Sequence, residues 1–340
     1  MKIALDAMGS DFAPREEVRG AVAACQELGA EVILVGDPAR LEAELAACPE
    51  ARALPLEVVA ATERIAMDEH PATAVKKKRQ ASVVVANELV RNGQASGVVS
   101  AGNTGAAMAA SLLRLGRIKG IDRPAIAIPM PTATGVSVLL DAGANADCSP
   151  ENLVQFAMMG AVYAERVLGL SNPRVGLLNI GEEPTKGNTL CLAAYPLLSS
   201  SGLNFVGNVE GLDVHRGVAE VIVCDGFVGN VVLKLSEGLA GVLFSQIKES
   251  VSASVKGRLG GVLLRSSLRA LRGRLDYTEY GGAPLLGVDG VSIIAHGRSN
   301  ARAIRNAIKA ASKAAAEGLI LTISQATAGK SLAREDKIGD

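Results

Sequence analysis

The chain has 340 residues, of which 49% are hydrophobic, with no Trp and few other aromatic residues. This length allows one large α/β domain or two fused lobes, with a core assembled from Ala, Val, Leu and Ile. Such a core favours helices packed on a parallel sheet over a β-sandwich. Lys and Arg together number 35, as do Asp and Glu, so no global field directs the chain to nucleic acid, which we do not expect as a partner.

The five cysteines are widely spaced and include no CxxC pair. They indicate small buried side chains in a reducing compartment, not a disulfide framework or a metal site. The first residues, from Met1 to Asp6, are typical of a strand and not of a signal peptide. We expect no apolar run of transmembrane length, and the sequence therefore predicts an intracellular protein that does not span a membrane.

Short apolar runs typical of strands alternate with amphipathic stretches typical of helices along the whole chain. This rhythm predicts a three-layer α/β/α fold with a largely parallel sheet. We expect one catalytic domain over residues 1–328, built either as a single unit or as two interwoven lobes around a cleft. Residues 329–340 are expected to form a frayed tail. Strands are predicted at 3–6, 31–35, 97–100, 125–128, 136–141, 175–180, 221–225 and 291–296, with a hairpin at 125–141. Helices are predicted near 14–28, 39–46, 82–91, 104–115 and 150–168.

Five of the predicted strands run directly into segments rich in Gly, Asn, Ser and Asp. The carboxyl ends of parallel strands share one edge of a sheet, where ligands bind in open α/β folds. Glycine lets the backbone approach a ligand, and free N–H groups at a helix start attract anions. One such segment alone is most simply an ordinary turn, but five together predict a donor-rich site for a small anion such as phosphate. The segments are residues 100–105, 141–145, 179–188, 225–230 and 296–300.

The same segments exclude several kinds of site. None contains a Walker phosphate loop or a G-x-G-x-x-G pattern, which argues against ordinary ATP or dinucleotide binding. No nucleophile elbow or Ser-His-Asp order is evident, so a covalent acyl-enzyme has no support. The isolated acids form no metal motif, and some are expected only to cap helices or to bond backbone; they are Asp6, Asp11, Asp141, Asp147 and Asp225. We therefore expect neither a metal nor a cofactor.

Taken in chain order, these segments resemble the PlsX family, the phosphate acyltransferases of bacterial phospholipid synthesis. Ser10 stands where the family usually has a second Gly, and Arg298 stands where a small residue is commoner. The resemblance covers essentially the whole chain and rests on residues 6–9, 100–106, 139–145, 179–187, 223–237 and 281–300.

The resemblance implies transfer of a long-chain acyl group from acyl carrier protein to inorganic phosphate, which gives acyl phosphate. It also implies a fold similar to that of phosphate acetyltransferases and isocitrate-type dehydrogenases. A cytoplasmic homodimer is implied, resting on the inner face of the cell membrane, where a downstream membrane acyltransferase takes the product. A short-chain acyl-CoA phosphotransacylase and a non-catalytic phosphate- or lipid-binding module remain alternatives. A metal- and NAD-dependent decarboxylating dehydrogenase is disfavoured, because clustered metal carboxylates are not apparent.

Phosphate at neutral pH is already a dianionic nucleophile, so the harder tasks are to hold it beside a thioester and to stabilise the oxyanion. Lys186, on a loop followed by Gly187, is the leading candidate for binding phosphate or the developing charge, unless it is a solvated surface lysine. Asn230 is expected to donate to the thioester oxygen, or else to cap a helix. His296 is expected to donate to phosphate or to protonate the leaving thiolate, unless it is a satisfied buried histidine. The predicted phosphate-binding residues are Ser100, Gly102, Asn103, Thr104, Asn145 and Gly229.

Six basic residues and no acid lie between Glu249 and Asp276, with leucines recurring at helical spacing. This pattern predicts a basic amphipathic helix within 254–275. Such a helix is expected to dock the acidic carrier protein or to rest on anionic lipid, unless it packs on the body or on a dimer partner. Its docking residues are Lys256, Arg258, Leu264, Arg265, Leu268, Arg269 and Arg272. A second basic cluster, residues 76–79, is expected to be an exposed face without a function of its own.

Overall fold

The computed structural model describes residues 1–275 and 281–335, and it contains two β-sheets with helices packed around them. The strands are β1 (Lys2–Asp6), β2 (Glu31–Gly36), β3 (Leu56–Ala60), β4 (Gly97–Ser100), β5 (Ala125–Ile126), β6 (Ile128–Pro131), β7 (Val136–Leu140), β8 (Val175–Asn179), β9 (Phe205–Glu210), β10 (Val221–Val223), β11 (Ala283–Leu286) and β12 (Val291–Ile294). The helices are α1 (Arg15–Leu28), α2 (Pro38–Ala46), α3 (Pro71–Lys77), α4 (Ser82–Arg91), α5 (Thr104–Arg114), α6 (Pro150–Arg166), α7 (Thr189–Ser199), α8 (Gly226–Ser252), α9 (Val255–Leu275), α10 (Ala301–Ala316) and α11 (Leu319–Glu335).

The first sheet has seven strands in the order β3-β2-β1-β4-β12-β11-β5. Its first five strands are parallel, whereas β11 runs antiparallel to both of its neighbours. Asp6, Ser100 and Ile294 occupy the same register position at the carboxyl ends of β1, β4 and β12. The segments that follow these three strands therefore start side by side at one edge of the sheet.

The second sheet has five strands in the order β6-β7-β10-β8-β9, and all but β6 are parallel. Leu140, Val223 and Leu177 lie in register near the carboxyl ends of β7, β10 and β8. The segments that begin at Asp141, Asn179 and Asp225 thus share one edge of this sheet, as the predicted segments of the first sheet do.

The predicted α/β fold with largely parallel sheets is confirmed, but the strands divide into two sheets. The expected hairpin exists between β6 and β7. Its first strand begins at Ile128, because Ala125–Ile126 pairs instead with β11 of the first sheet. The chain therefore passes from one sheet to the other at Ala127, whose N–H donates to the carbonyl of Pro284 over 3.0 Å. Strands β3, β9 and β11 were not predicted, since short runs interrupted by Glu, Gly or Pro carry a weak strand signal.

One continuous apolar core joins the two sheets. Helix α6 lies at its centre and buries Leu153, Phe156 and Met159 almost completely. Ser149 starts this helix as predicted: its hydroxyl accepts the N–H of Asn152, whose side chain accepts the N–H of Ser149. Because α6 packs against β7, β10, α7 and α11, it must be apolar on most of its surface, and this is the pattern that its sequence shows.

Helices α8 and α9 contact each other and are largely exposed. Within the described residues α8 is long and apolar enough to cross a membrane, with mean hydropathy 1.5 over its apolar window and 11% of that window buried. The expectation that no run reaches transmembrane length is therefore wrong for α8. The apolar character of α8 is not obvious in the sequence, because Lys234 and Glu237 interrupt the apolar run.

The carboxyl-terminal helix α11 extends to Glu335, past Gly329, where the sequence predicts a frayed tail. Residues 336–340 of that tail lie outside the described residues, as do residues 276–280, which precede β11.

We predict that Gly20→Ala destabilises the protein, because α1 and α10 approach each other at this glycine. A Cβ at position 20 would lie 2.6 Å from Cβ of Ile304 and 2.8 Å from the carbonyl oxygen of Ala301. Overpacking of this kind costs about 1–3 kcal/mol. Urea denaturation measures the change in the free energy of unfolding.

Gly238→Ala is the matched control, since a Cβ at this exposed position in α8 would meet no atom within 4 Å. It should stabilise the protein by about 0.5–1 kcal/mol through helix propensity. An unchanged midpoint for Gly20→Ala would contradict the close α1–α10 packing.

Candidate active site

A cavity of about 280 Å³, here called the central cleft, lies between the two sheets. The first sheet contributes Thr104 at the start of α5, and His296 and Ser299 after β12. The second sheet contributes Gly143 after β7 and Asn230 on α8. Four of the five predicted segments therefore meet in one cavity, although they come from different sheets.

One face of α8 forms a wall of the central cleft. Asn230, Leu233, Lys234 and Glu237 all line it, and their spacing of three and four residues places them on one side of the helix. The ammonium of Lys234 donates to the carboxylate of Glu237 over 2.9 Å. Asn230 lies inside the helix, so the alternative that it caps a helix is wrong. Lys234 was not predicted as a site residue, although it lies one helical turn after Asn230.

His296 is exposed at the rim of the central cleft. Its Nδ1 accepts the backbone N–H of Arg298 over 3.1 Å. Because one ring nitrogen acts as an acceptor, the neutral imidazole carries its proton on Nε2, which is then a hydrogen-bond donor. The alternative that His296 is a satisfied buried histidine is therefore wrong.

Half of the eight Asn and Asp side chains in the predicted segments cap the helices that follow. The side chains of Asn103, Asn188, Asp225 and Asn300 each accept an N–H in the first turn of the following helix, over 2.8–3.1 Å. Each such cap stabilises its helix by about 1 kcal/mol. Asn103 also donates its amide to the carbonyl of Met67 over 2.9 Å. Its amide is thus engaged within the protein, whereas its neighbour Thr104 is exposed to the cleft.

Ser100 and Gly102 lie beside a separate and much smaller cavity of about 10 Å³, together with Asp6. The hydroxyl of Ser100 donates to the Asp6 carboxylate over 2.7 Å and accepts the N–H of Gly102 over 3.2 Å. Burial raises the pKa of the Asp6 carboxyl, while hydrogen bonds from Ser82 and Ser100 oppose that rise. A space of about one water molecule beside a carboxylate does not fit phosphate. Ser100 and Gly102 therefore join β1 to β4 instead of binding the anion directly.

The Asp141 carboxylate organises the turn after β7. It accepts backbone N–H groups over 2.7–3.2 Å and the Asn145 amide over 2.9 Å. Asn145 is buried and also donates to the carbonyl of Pro124 over 2.7 Å. A Cβ on Gly229 would lie only 1.9 Å from the carbonyl oxygen of Asp141. Asn145 and Gly229 thus position the cleft wall, which corrects their predicted role as direct phosphate ligands. The N–H groups that bond the Asp141 carboxylate belong to Ile126, Gly143, Ala144 and Asn145.

Lys186 is exposed on the remaining predicted segment, residues 179–188, and is not among the residues that line the central cleft. The amide of Asn179 donates to the Lys186 carbonyl over 3.0 Å and holds the loop closed. The residues that follow, Gly187 and Asn188, line a second cavity of about 340 Å³, here called the β8 cavity. The lining of the central cleft therefore includes Asn230 and His296 but not Lys186, although all three were predicted as catalytic residues.

Carboxylates are scarce in the central cleft. Among its lining residues within 1–275 and 281–335, Glu237 is the single acid, and it pairs with Lys234. The group of acids close enough to share a cation in this part of the chain is Glu182, Glu210 and Asp213. Asp213 accepts the N–H of Glu210 over 3.0 Å, so part of this group caps the short 3₁₀ turn at Gly211–His215.

The family of this chain follows from its similarity to known sequences. The sequence profile of the family described as "Fatty acid synthesis protein" matches residues 1–322. The chain belongs to this family, the PlsX family. It is 56% identical over 330 residues to the phosphate acyltransferase of Heliobacterium modesticaldum, covering 97% of this chain and 98% of the relative. It is 57% identical over 324 residues to that of Moorella thermoacetica, covering 95% of each chain.

Solved structures of the same fold are phosphotransacylases. A phosphotransacetylase from Streptococcus pyogenes superposes with a TM-score of 0.65 at 17% identity, over 92% of this chain and 94% of the other. A branched-chain phosphotransacylase from Enterococcus faecalis gives a TM-score of 0.58 at 15% identity, over 93% and 99% of the two chains. At such low identity the likeness establishes the fold, which agrees with the similarity expected from the sequence.

The two departures from the PlsX pattern have local structural roles. The hydroxyl of Ser10 accepts the N–H of Phe12 over 3.2 Å. It also lies beside the buried Glu17, whose pKa is raised to about 7, chiefly by burial. Arg298 is exposed, and its backbone N–H fixes the ring of His296. That contact uses no side-chain atom of Arg298, so any residue except proline can make it.

Proposed function

We propose that this chain transfers a long-chain fatty acyl group from acyl carrier protein to inorganic phosphate, yielding acyl phosphate for phospholipid synthesis. The observation that carries the proposal is the convergence of hydrogen-bond donors from both sheets on the central cleft. Thr104, Asn230, Lys234 and His296 face one cavity, and the single lining acid is neutralised by Lys234. Such a cavity favours a doubly charged oxyanion and the charge that develops in acyl transfer.

The donors divide naturally between two tasks. Thr104 and the first N–H groups of α5 lie at a helix start, where backbone partial charge favours phosphate. Asn230 and Lys234 lie one turn apart on the facing wall and are suited to the thioester oxygen, which becomes negative during attack. Close placement of the two reactants then supplies much of the rate, because phosphate needs little activation.

The proton balance assigns a role to His296. A phosphate oxygen attacks the thioester carbon, a C–O bond forms, and the C–S bond breaks. Monohydrogen phosphate loses its proton in forming the acyl phosphate dianion, and the departing thiolate takes up one proton, so the reaction needs no external acid. A neutral His296 with its proton on Nε2 therefore serves as a hydrogen-bond donor to phosphate. Protonation of the thiolate by this tautomer would leave an imidazolate, which is unfavourable.

The test of the reaction is thiol release from purified protein with and without phosphate. We expect phosphate-dependent release, with palmitoyl-carrier protein preferred over acetyl-CoA. Preference for acetyl-CoA would select a short-chain phosphotransacylase, the activity named for the structural neighbours. Absence of release with either donor would leave only a phosphate- or lipid-binding module. The high identity to phosphate acyltransferases over nearly the whole chain favours the first outcome.

Lys234→Ala is expected to lower kcat/KM by about 10²–10³, the usual effect of removing one donor to the oxyanion. Lys309→Ala on α10 removes an exposed lysine that does not line the cleft and serves as the matched control. Lys186→Ala, measured in parallel, tests the prediction from the sequence that Lys186 binds phosphate or the developing charge. A larger loss in Lys186→Ala than in Lys234→Ala would show that the loop after β8 carries the chemistry instead of α8.

The α8–α9 pair suits a peripheral association with the inner face of the cytoplasmic membrane. On α9, Leu259, Val262 and Leu263 are 65%, 71% and 82% exposed. A helix with exposed leucines beside basic residues binds at the interface of an anionic bilayer. A full span by α8 is incompatible with its first half lining a cleft between two sheets.

The predicted docking residues Lys256, Arg258, Leu264 and Arg265 are exposed, and Leu268 is half-buried. The side chains of Arg269 and Arg272 lie outside the described part of the structure.

An exposed apolar stripe on α8 supports the proposal of a homodimer. Val231, Leu235, Leu239 and Val242 are all more than half exposed and recur every three or four residues. A second copy of this pair would cover the stripe. Acyl phosphate would then be released beside the membrane acyltransferase that consumes it.

We predict that the triple variant Lys256→Glu, Arg258→Glu, Arg265→Glu loses binding to anionic liposomes. Each basic residue near the surface contributes about 1 kcal/mol, so removal of three should weaken binding more than about 100-fold. Flotation at low and high salt measures the effect.

The matched control is Lys76→Glu, Lys77→Glu, Arg79→Glu, which makes the same charge change at three exposed residues around α3. It should bind liposomes as the original protein does. Intact liposome binding by the α9 variant, together with a raised KM for carrier protein, would assign α9 to carrier-protein docking.

A further inference from the structure

The central cleft has an apolar part of its lining, here called the apolar wall, beside its donors. Ile126 and Ile294 come from the first sheet, Ile128 and Pro129 from the second, and Leu233 from α8. The four aliphatic side chains, excluding Pro129, are at most 7% exposed, yet they border an open cavity. Apolar side chains that border an unfilled cavity forgo dispersion contacts. Their shared surface is therefore suited to an apolar ligand that enters from the donor side.

We propose that this apolar wall binds the first part of the acyl chain and that Leu233 sets how much of the chain fits. The proposal rests on the proposed function and names the determinant of its substrate. The thioester carbon must lie beside Asn230 and Lys234 if these residues stabilise the oxyanion. Leu233 precedes Lys234 directly and follows Asn230 by three residues on the same face of α8. The methylene groups next to the carbonyl carbon are therefore placed against Leu233.

The size of the cleft limits what it can hold. Ligand pockets usually span about 300–1,000 Å³, so a cavity of about 280 Å³ is small for a long-chain substrate. Phosphate and the thioester group take part of this volume, so only the proximal methylenes of a long chain fit inside. Each methylene buried contributes about a fourfold gain in binding. The wall should thus favour longer chains until the cavity is full.

The β8 cavity is the competing site for the acyl chain. It is larger, about 340 Å³, and its lining includes Leu153, Leu177, Leu190 and Val228. None of its lining residues is Asn230, Lys234 or His296, so a chain held there would place its carbonyl carbon away from these donors. Leu190 lines the β8 cavity, and Leu233 lines the central cleft. The same Leu→Trp substitution at Leu190 is therefore a control of equal size.

The experiment compares Leu233→Trp with Leu190→Trp. The donors are carrier proteins loaded with acyl chains from butyryl to palmitoyl, and kcat/KM is measured from phosphate-dependent thiol release. In the unaltered protein kcat/KM should rise about fourfold per methylene and then level off. Leu233→Trp should bring the plateau to shorter chains and lower the palmitoyl-to-butyryl ratio at least tenfold. Leu190→Trp should keep the original ratio.

Three results would overturn the proposal, all distinct from a failure of the reaction itself. One is a changed chain-length profile in Leu190→Trp with an unchanged profile in Leu233→Trp; another is an unchanged profile in both. If Leu233→Trp does not fold, as judged by thermal melting, Leu233→Ala replaces it and should move the plateau to longer chains. An unchanged plateau in folded Leu233→Ala would be the third. Lack of phosphate-dependent release from every donor in the unaltered protein would instead refute the proposed function.

Discussion

The geometry of the cleft depends on one buried carboxylate, that of Asp141. This side chain accepts the N–H of Ile126 from the first sheet and three N–H groups of its own turn in the second. The start of α8 packs on the same turn, because Gly226 donates its N–H to the carbonyl of Asn145 and Gly229 leaves room for the carbonyl of Asp141. A single carboxylate thus links the two sheets at the place where α8 begins. Burial raises the pKa of Asp141, and its many donors offset the cost of enclosing the charge.

The polar residues at the strand ends divide into those that build the site and those that face it. Asn103, Asp225 and Asn300 cap helices, and Ser100 bonds Asp6. These hydrogen bonds hold the backbone beside the cleft. Other side chains line the cavity, among them Lys234 and Ser299. A segment rich in Gly and Asn therefore marks where a site lies better than it marks which side chains bind.

Helix α8 connects the proposed chemistry with the proposed surface association. Its first half lines the cleft through Asn230, Leu233 and Lys234, and it continues as an exposed apolar stripe beside the basic helix α9. A substrate that carries a long alkyl chain, and a product that is lipid-like, both suit a helix that runs from the site to an apolar surface. The same composition explains why α8 resembles a membrane span by hydropathy without being buried in the core.

The α/β class, the strand-end segments, the α9 helix and the family could all be predicted from the sequence, because periodicity, turn chemistry and motif order are local properties of the chain. It also placed Thr104, Asn230 and His296 among the candidates that line the cleft. The packing of the two sheets was needed to show that Lys234 joins them, that Lys186 does not line the cleft, and that Ser100 and Asn145 hold the backbone. Those outcomes depend on how two sheets pack and on which hydrogen-bond partners are already engaged. Both are set by contacts between residues far apart in the chain.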